Sequence, residues 1–102
     1  MNIALLETWT ESERGWGSRN DGCTLHLTKE DYKKYVEEYW KTMPDKVPDE
    51  YSRPDGNLKA VVISDDLLKS LNESKKFGIC LWQSEFREKK NSKEIMYMED
   101  AL

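Results

Sequence analysis

The sequence predicts a small α+β domain: one sheet of about five strands, in the order ββαβαββ, with an aromatic-faced helix packed on it. Three observations carry that prediction. Apolar residues recur at helical spacing after Thr28, with a stripe of Tyr32, Tyr35, Val36, Tyr39, Trp40 and Met43. Elsewhere they alternate with period two or run in short apolar blocks, and Pro/Gly-rich stretches punctuate the chain between them. The composition supplies the third. Charged residues reach 35% against 37% hydrophobic, yet a net charge of -4 with 4 Trp and 5 Tyr describes a folded core under a charged skin, not a disordered chain. A length of 102 residues fits one domain, taken as residues 1–102.

The first strand spans 2–9, with Ile3, Leu5 and Trp9 on one face and Ala4 and Leu6 on the other. Apolar side chains on both faces predict an interior strand, covered on both sides or by the helix. Residues 10–22 are polar and end in the turn signal Asn20-Asp21-Gly22. Cys23, Leu25 and Leu27 then alternate with Thr24, His26 and Thr28, which predicts a half-buried second strand joined to the first by a long-looped hairpin. On this pattern Cys23 faces the core and His26 faces solvent among threonines.

Thr28 caps the helix, Asp31 three residues on completes an Asp variant of the capping box, and Pro44 ends it. The stripe predicts Tyr35, Tyr39 and Trp40 against the sheet, with Glu37, Glu38 and Lys41 in water. Residues 44–57 form a long connection with three prolines, closed by a turn at Pro54-Asp55-Gly56. Residues 58–63 read as a buried strand. Ser64 then caps a short helix with Leu67, Leu68 and Leu71 inward, and that helix ends near Lys75-Lys76-Phe77-Gly78. Residues 79–86 and 95–98 read as a terminal hairpin with a charged tip at Arg87, Lys89, Lys90 and Lys93. Residues 83–94 are also rich in helix formers, so a helix competes for that stretch.

The chain predicts a function mainly by what it lacks. No apolar run approaches the roughly 18 residues of a membrane span, and no signal-peptide pattern is present, so no membrane partner is expected. With pI near 5.1 there is no basic footprint for duplex nucleic acid. All of the excess negative charge lies in residues 1–51, which favours a basic partner over an acidic one. Two cysteines 57 positions apart, Cys23 and Cys80, point to free thiols in a reducing, cytoplasmic setting rather than to a disulfide framework. The single histidine excludes multi-histidine metal sites, and the common nucleotide-binding and nucleophile motifs are absent; no cofactor, metal or catalytic residue is predicted. Asp45, Asp49, Glu50 and Asp55 cluster without the spacing of a calcium loop.

The most unusual stretch is Arg14-Gly15-Trp16-Gly17-Ser18-Arg19, where two glycines free an indole between two arginines, the residue set of binding hot spots. A second long loop carries Tyr51 beside Arg53. The predicted partner-binding residues are therefore Arg14, Trp16, Arg19, Tyr51 and Arg53. They suggest a soluble, non-enzymatic interaction protein, monomer or weak dimer, that occludes a protein partner. In size and charge only, the chain resembles bacterial immunity proteins and phage-encoded inhibitors. The alternative is a small ligand-binding or enzymatic domain in which Arg14, Arg19 and Arg53 hold an anionic metabolite beside His26.

Overall fold

In the computed structural model the described residues are 1–12, 17–43 and 52–101. They form an α+β fold around an antiparallel sheet of six strands. The strands are β1 (Asn2–Ser12), β2 (Ser18–His26), β3 (Ser52–Pro54), β4 (Lys59–Ile63), β5 (Ile79–Leu81) and β6 (Ile95–Tyr97). The helices are α1 (Lys29–Lys41), α2 (Asp65–Glu73) and α3 (Gln83–Asn91), followed by a four-residue turn, α4 (Met98–Ala101). None of the described helices is long and apolar enough to cross a membrane.

The sheet order is β5-β2-β1-β4-β6, and β3 pairs with the far half of β1. β1 is therefore the central strand, as its two apolar faces predict. Its first half pairs with β4 (Ala4 opposite Val61) and its second with β3 (Trp9 opposite Pro54). On one face, Ala4, Leu6, Cys23, Leu25, Val61, Ile63, Leu81 and Ile95 meet Leu67 and Leu71 of α2, with Phe86 of α3 packed against them. This is the hydrophobic core. It is closed because α2 carries the chain across this face from β4 to β5 and α3 carries it back to β6.

That crossing corrects the predicted terminal hairpin: β5 and β6 lie at opposite edges of the sheet, and the helix at 83–91 between them takes the competing reading. Glu85 accepts from the backbone N–H of Trp82 at 3.2 Å to start α3. Lys93 ends it in the left-handed region (φ 65°), where the N–H groups of Lys93 and Glu94 return to Lys90 and Lys89. Of the basic residues placed at a hairpin tip, Arg87, Lys89 and Lys90 lie on this helix instead, and Lys93 lies just past its end.

α1 lies on the other face and covers only part of it. Thr28 caps it as predicted, its hydroxyl accepting from Asp31 N at 3.0 Å. The helix carries no fully buried residue, however. Tyr32, Tyr35 and Tyr39 are half-buried against Trp9 and His26, while Trp40, on the outer edge of the stripe, stays 40% exposed. The expectation of a core Trp40 is thus wrong. A 13-residue helix across a twisted sheet touches it along one narrow line, and a stripe that also includes Trp40 is wider than that line. Asn20-Asp21-Gly22 is not the hairpin turn either. It is a bulge inside β2, with Gly22 at φ 118° because a Cβ there would lie 2.3 Å from the Leu81 carbonyl.

Candidate functional site

Between α1 and the sheet lies a buried polar chain that the fold completes in one direction. Trp9 sits opposite Gly22, and Thr24 and His26 follow on the same face of β2. The Trp9 indole Nε1 donates to Thr24 Oγ1 at 2.9 Å. His26 Nδ1 faces the Phe77 carbonyl at 2.9 Å, and a carbonyl only accepts, so Nδ1 carries the proton. His26 Nε2 therefore accepts, and the Thr24 hydroxyl donates to it at 2.8 Å. Trp9, Thr24, His26 and Phe77 form a relay with every donor and acceptor used. The imidazole is fully buried (0% exposed), and desolvation pushes its pKa below 6.5 against the opposing pull of the Phe77 carbonyl, Asp31 and Glu7. This corrects the solvent-facing placement of His26: alternation along β2 does send it to the face opposite Cys23, but α1 covers that face.

Gly78 makes room for the ring. A Cβ at position 78 would stand 2.5 Å from His26 Nδ1. The residue before it, Phe77, takes a left-handed conformation (φ 67°) that presents its carbonyl to the imidazole and leaves its ring 38% exposed. For a bulky residue that backbone conformation is a true outlier.

Beside the relay Glu7 is also fully buried. Its Oε1 accepts from the backbone N–H groups of Gly56 and Asn57 at 3.1 and 3.2 Å, clamping the turn after β3, and the Tyr32 phenol lies beside the carboxylate. Desolvation, and then the nearby Glu7 carboxylate, raise the Tyr32 phenol to about 12. The same turn is tied down from the other side, where Asp55 accepts from Thr8 and Thr10 at 2.6 Å each.

The relay surfaces along a groove between α1 and the segment leading into β5. Tyr35, Glu38, Tyr39, Lys75, Lys76 and Phe77 line a cavity of about 390 Å³. Lys34 lies 5.2 Å from the Phe77 ring centroid. Tyr35 and Tyr39 also border a smaller cleft of about 100 Å³ with Trp9, Asp21, Cys80 and Trp82, so the two hollows share a wall. Trp82 stands 61% exposed at its edge. The thiols are poor nucleophiles: burial first, then Cys80 and Glu85, push Cys23 up to about 12, and desolvation, Asp21 and Glu85 raise Cys80. Cys23 opposes Leu81 and Cys80 opposes Thr24, so the thiols point to opposite faces of adjacent strands and both are free.

Among the sequence-predicted site residues, Arg14, Trp16 and Tyr51 lie outside the described residues, as do Asp45, Asp49 and Glu50 of the acidic cluster. Arg19 is exposed in β2 and paired with Glu11 at 2.6 Å. Arg53 is exposed in β3 opposite Thr10, whereas Arg19 opposes Glu11, so the register sets the two arginines on opposite faces of the sheet. The described residues hold no group of three His, Cys, Asp or Glu that could bind a metal. Phe77 and Trp82 were not legible as site residues, since each reads as the ordinary end of an apolar segment. A phenylalanine in the position before a glycine, where the chain leaves a helix, is the one signal that marks a strained turn.

The fold and the groove define a small α+β protein with an aromatic-rimmed hollow over a closed polar relay. Compared with known proteins, the chain matches no family model, and no curated protein or solved structure is significantly similar to it.

Proposed function

We propose that this is a non-enzymatic interaction protein that works by occluding a partner protein, in the manner of an inhibitor, and that the groove between α1 and β5 is a contact surface. The observation that carries the reading is Phe77: a strained, 38%-exposed aromatic at the rim of the groove of about 390 Å³. Exposed aromatics around a concavity are the usual anchors of protein recognition. The excess acid in the first half of the chain favours a basic partner as a whole, while Lys34, Lys75 and Lys76 around the groove favour acidic groups at that contact; the encounter would take place in the reducing interior of a bacterial or phage-infected cell. The anionic-metabolite alternative draws no support from Arg19, Arg53 or His26. Two of these sit on opposite faces, and the third is sealed with both nitrogens engaged.

The test is affinity capture from host lysate with wild type, Phe77→Gly and Trp16→Ala. Glycine accepts the left-handed backbone, so the first variant removes the ring and keeps the turn. A retained protein lost by Phe77→Gly supports the groove. Equal capture by wild type and Phe77→Gly refutes it, and loss confined to Trp16→Ala moves the contact to the segment around Trp16.

A further inference from the structure

We propose that the small cleft beside Trp82 is a receptor for a methylated ammonium group. Four aromatic side chains, Trp9, Tyr35, Tyr39 and Trp82, border it. Trp9 packs edge-to-face with Tyr35 (ring centroids 6.2 Å apart at 74°) and Tyr39 (4.9 Å and 76°), which fixes the inner wall, and Trp82 is 61% exposed at the edge. Aromatic rings that border one small volume attract a cation through their faces.

The size selects a compact guest. The cleft, at about 100 Å³, is far smaller than the groove of about 390 Å³ and suits a compact group such as one nitrogen with its methyls rather than an extended chain.

Charge selects the sign. Asp21 is the one charged residue among the described residues that line the cleft, and Glu85 lies close enough to act on the Cys80 thiol in the same direction. Cys80 stays protonated at neutral pH and adds a polarizable wall without charge. An anion would meet Asp21 in an apolar setting, with no cation among the described lining residues to balance it.

Hydrogen-bonding capacity separates a methylated ammonium from a bare one. A primary ammonium brings three donors that must all find acceptors once desolvated. The acceptors here are already used in part: Asp21 takes the Ser52 hydroxyl, the Ser52 carbonyl takes the Tyr39 phenol, and Thr24 is committed to the relay. A quaternary nitrogen has no donors to satisfy and needs only the rings and a carboxylate nearby.

The experiment is a titration of the intact protein with tetramethylammonium chloride, followed by the indole N–H signals of Trp9 and Trp82 in ¹H–¹⁵N spectra. Sodium chloride serves as the ionic control and tert-butyl alcohol, a tetrahedral carbon with three methyls and a hydroxyl, as the neutral isostere. The expected result is a saturable shift of both indoles at about 1–10 mM, as a few cation–π contacts give. The isostere should bind at least tenfold more weakly. Trp82→Ala, a change at an exposed side chain, should weaken binding about two- to thirtyfold, and Trp82→Phe should restore part of it. Asp21→Asn keeps an acceptor for Ser52 and should weaken binding by a similar factor. Equal binding of the isostere, or no saturable shift by about 100 mM, overturns the proposal. Choline and a trimethyl-lysine peptide then identify the source of the group: tighter binding of choline assigns a free metabolite, and tighter binding of the peptide a protein side chain. Phe77→Gly should leave the titration unchanged, so this site and the partner groove fail separately.

Discussion

Thr24→Val is the sharpest perturbation of the structure, because valine copies the shape of threonine and removes only the hydroxyl. That hydroxyl accepts from Trp9 Nε1 at 2.9 Å and donates to His26 Nε2 at 2.8 Å, and all three side chains are buried. Without it two buried polar atoms lose their partners at about 1–3 kcal/mol each. The histidine cannot escape by switching tautomer, since the Phe77 carbonyl needs the proton on Nδ1. The added methyl returns about 0.8 kcal/mol, so the net loss is about 1–5 kcal/mol. Against a total stability of about 5–15 kcal/mol this is large, and it lowers the melting temperature by about 4–8 °C per kcal/mol. Urea unfolding followed by circular dichroism and tryptophan fluorescence measures it. Thr24→Ser keeps the hydroxyl and should lose only about 1 kcal/mol of methyl burial. If the valine variant is as stable as wild type, or the serine variant as unstable as the valine one, the relay is not what holds these side chains.

Other changes are decided by the same geometry. His26 has a folded pKa below its ordinary 6.5, so the unfolded chain binds the proton first. Stability is full above about pH 6.5 and falls as pH drops from there toward the folded pKa, and a His26→Gln variant should lose this part of the slope in unfolding curves between pH 7 and 5. Lys93→Gly should raise stability by about 0.5–1 kcal/mol in the same assay, because a left-handed C-cap at φ 65° costs an L-residue more than glycine's extra chain entropy. Trp40→Ala should cost about 1–2 kcal/mol, well short of the roughly 3–5 kcal/mol of a core tryptophan, and the variant should remain folded by circular dichroism.

How much of this was legible depended on how local the deciding interaction is. Caps and periodic stripes are read from neighbours in sequence, so Thr28, Ser64 and the two faces of β1 could be placed from residue order alone. The fate of 83–94 could not. Strand and helix propensities were close there, and the decision came from the need to bring the chain back across the core face from β5 to β6. His26 failed for a related reason: alternation says which face a side chain takes, not whether a helix will cover that face. The two hollows were invisible because their walls come from separate stretches, α1 with residues 75–77 for the groove and α1 with β1, β2 and Trp82 for the cleft, and no spacing rule connects them.

Phe77 ties the buried relay to the surface, and its energetics bear on the proposed contact. The backbone there must be left-handed for the carbonyl to reach His26, a geometry that costs an L-residue about 1–2 kcal/mol and glycine almost nothing. In exchange the ring gains partial burial and one contact with the Lys34 ammonium, together about 1–2 kcal/mol. Glycine's extra chain entropy adds about 0.5–1 kcal/mol to the loss, so the terms largely offset and Phe77→Gly should cost at most about 2 kcal/mol. A phenyl group at this position thus contributes little to holding the fold together, while the relay fixes it on the rim of the groove. A large loss of stability in the glycine variant would make Phe77 a structural residue and remove the main support for the groove as a contact surface. A melt little changed, with a lost partner, is the outcome expected of the proposed contact surface.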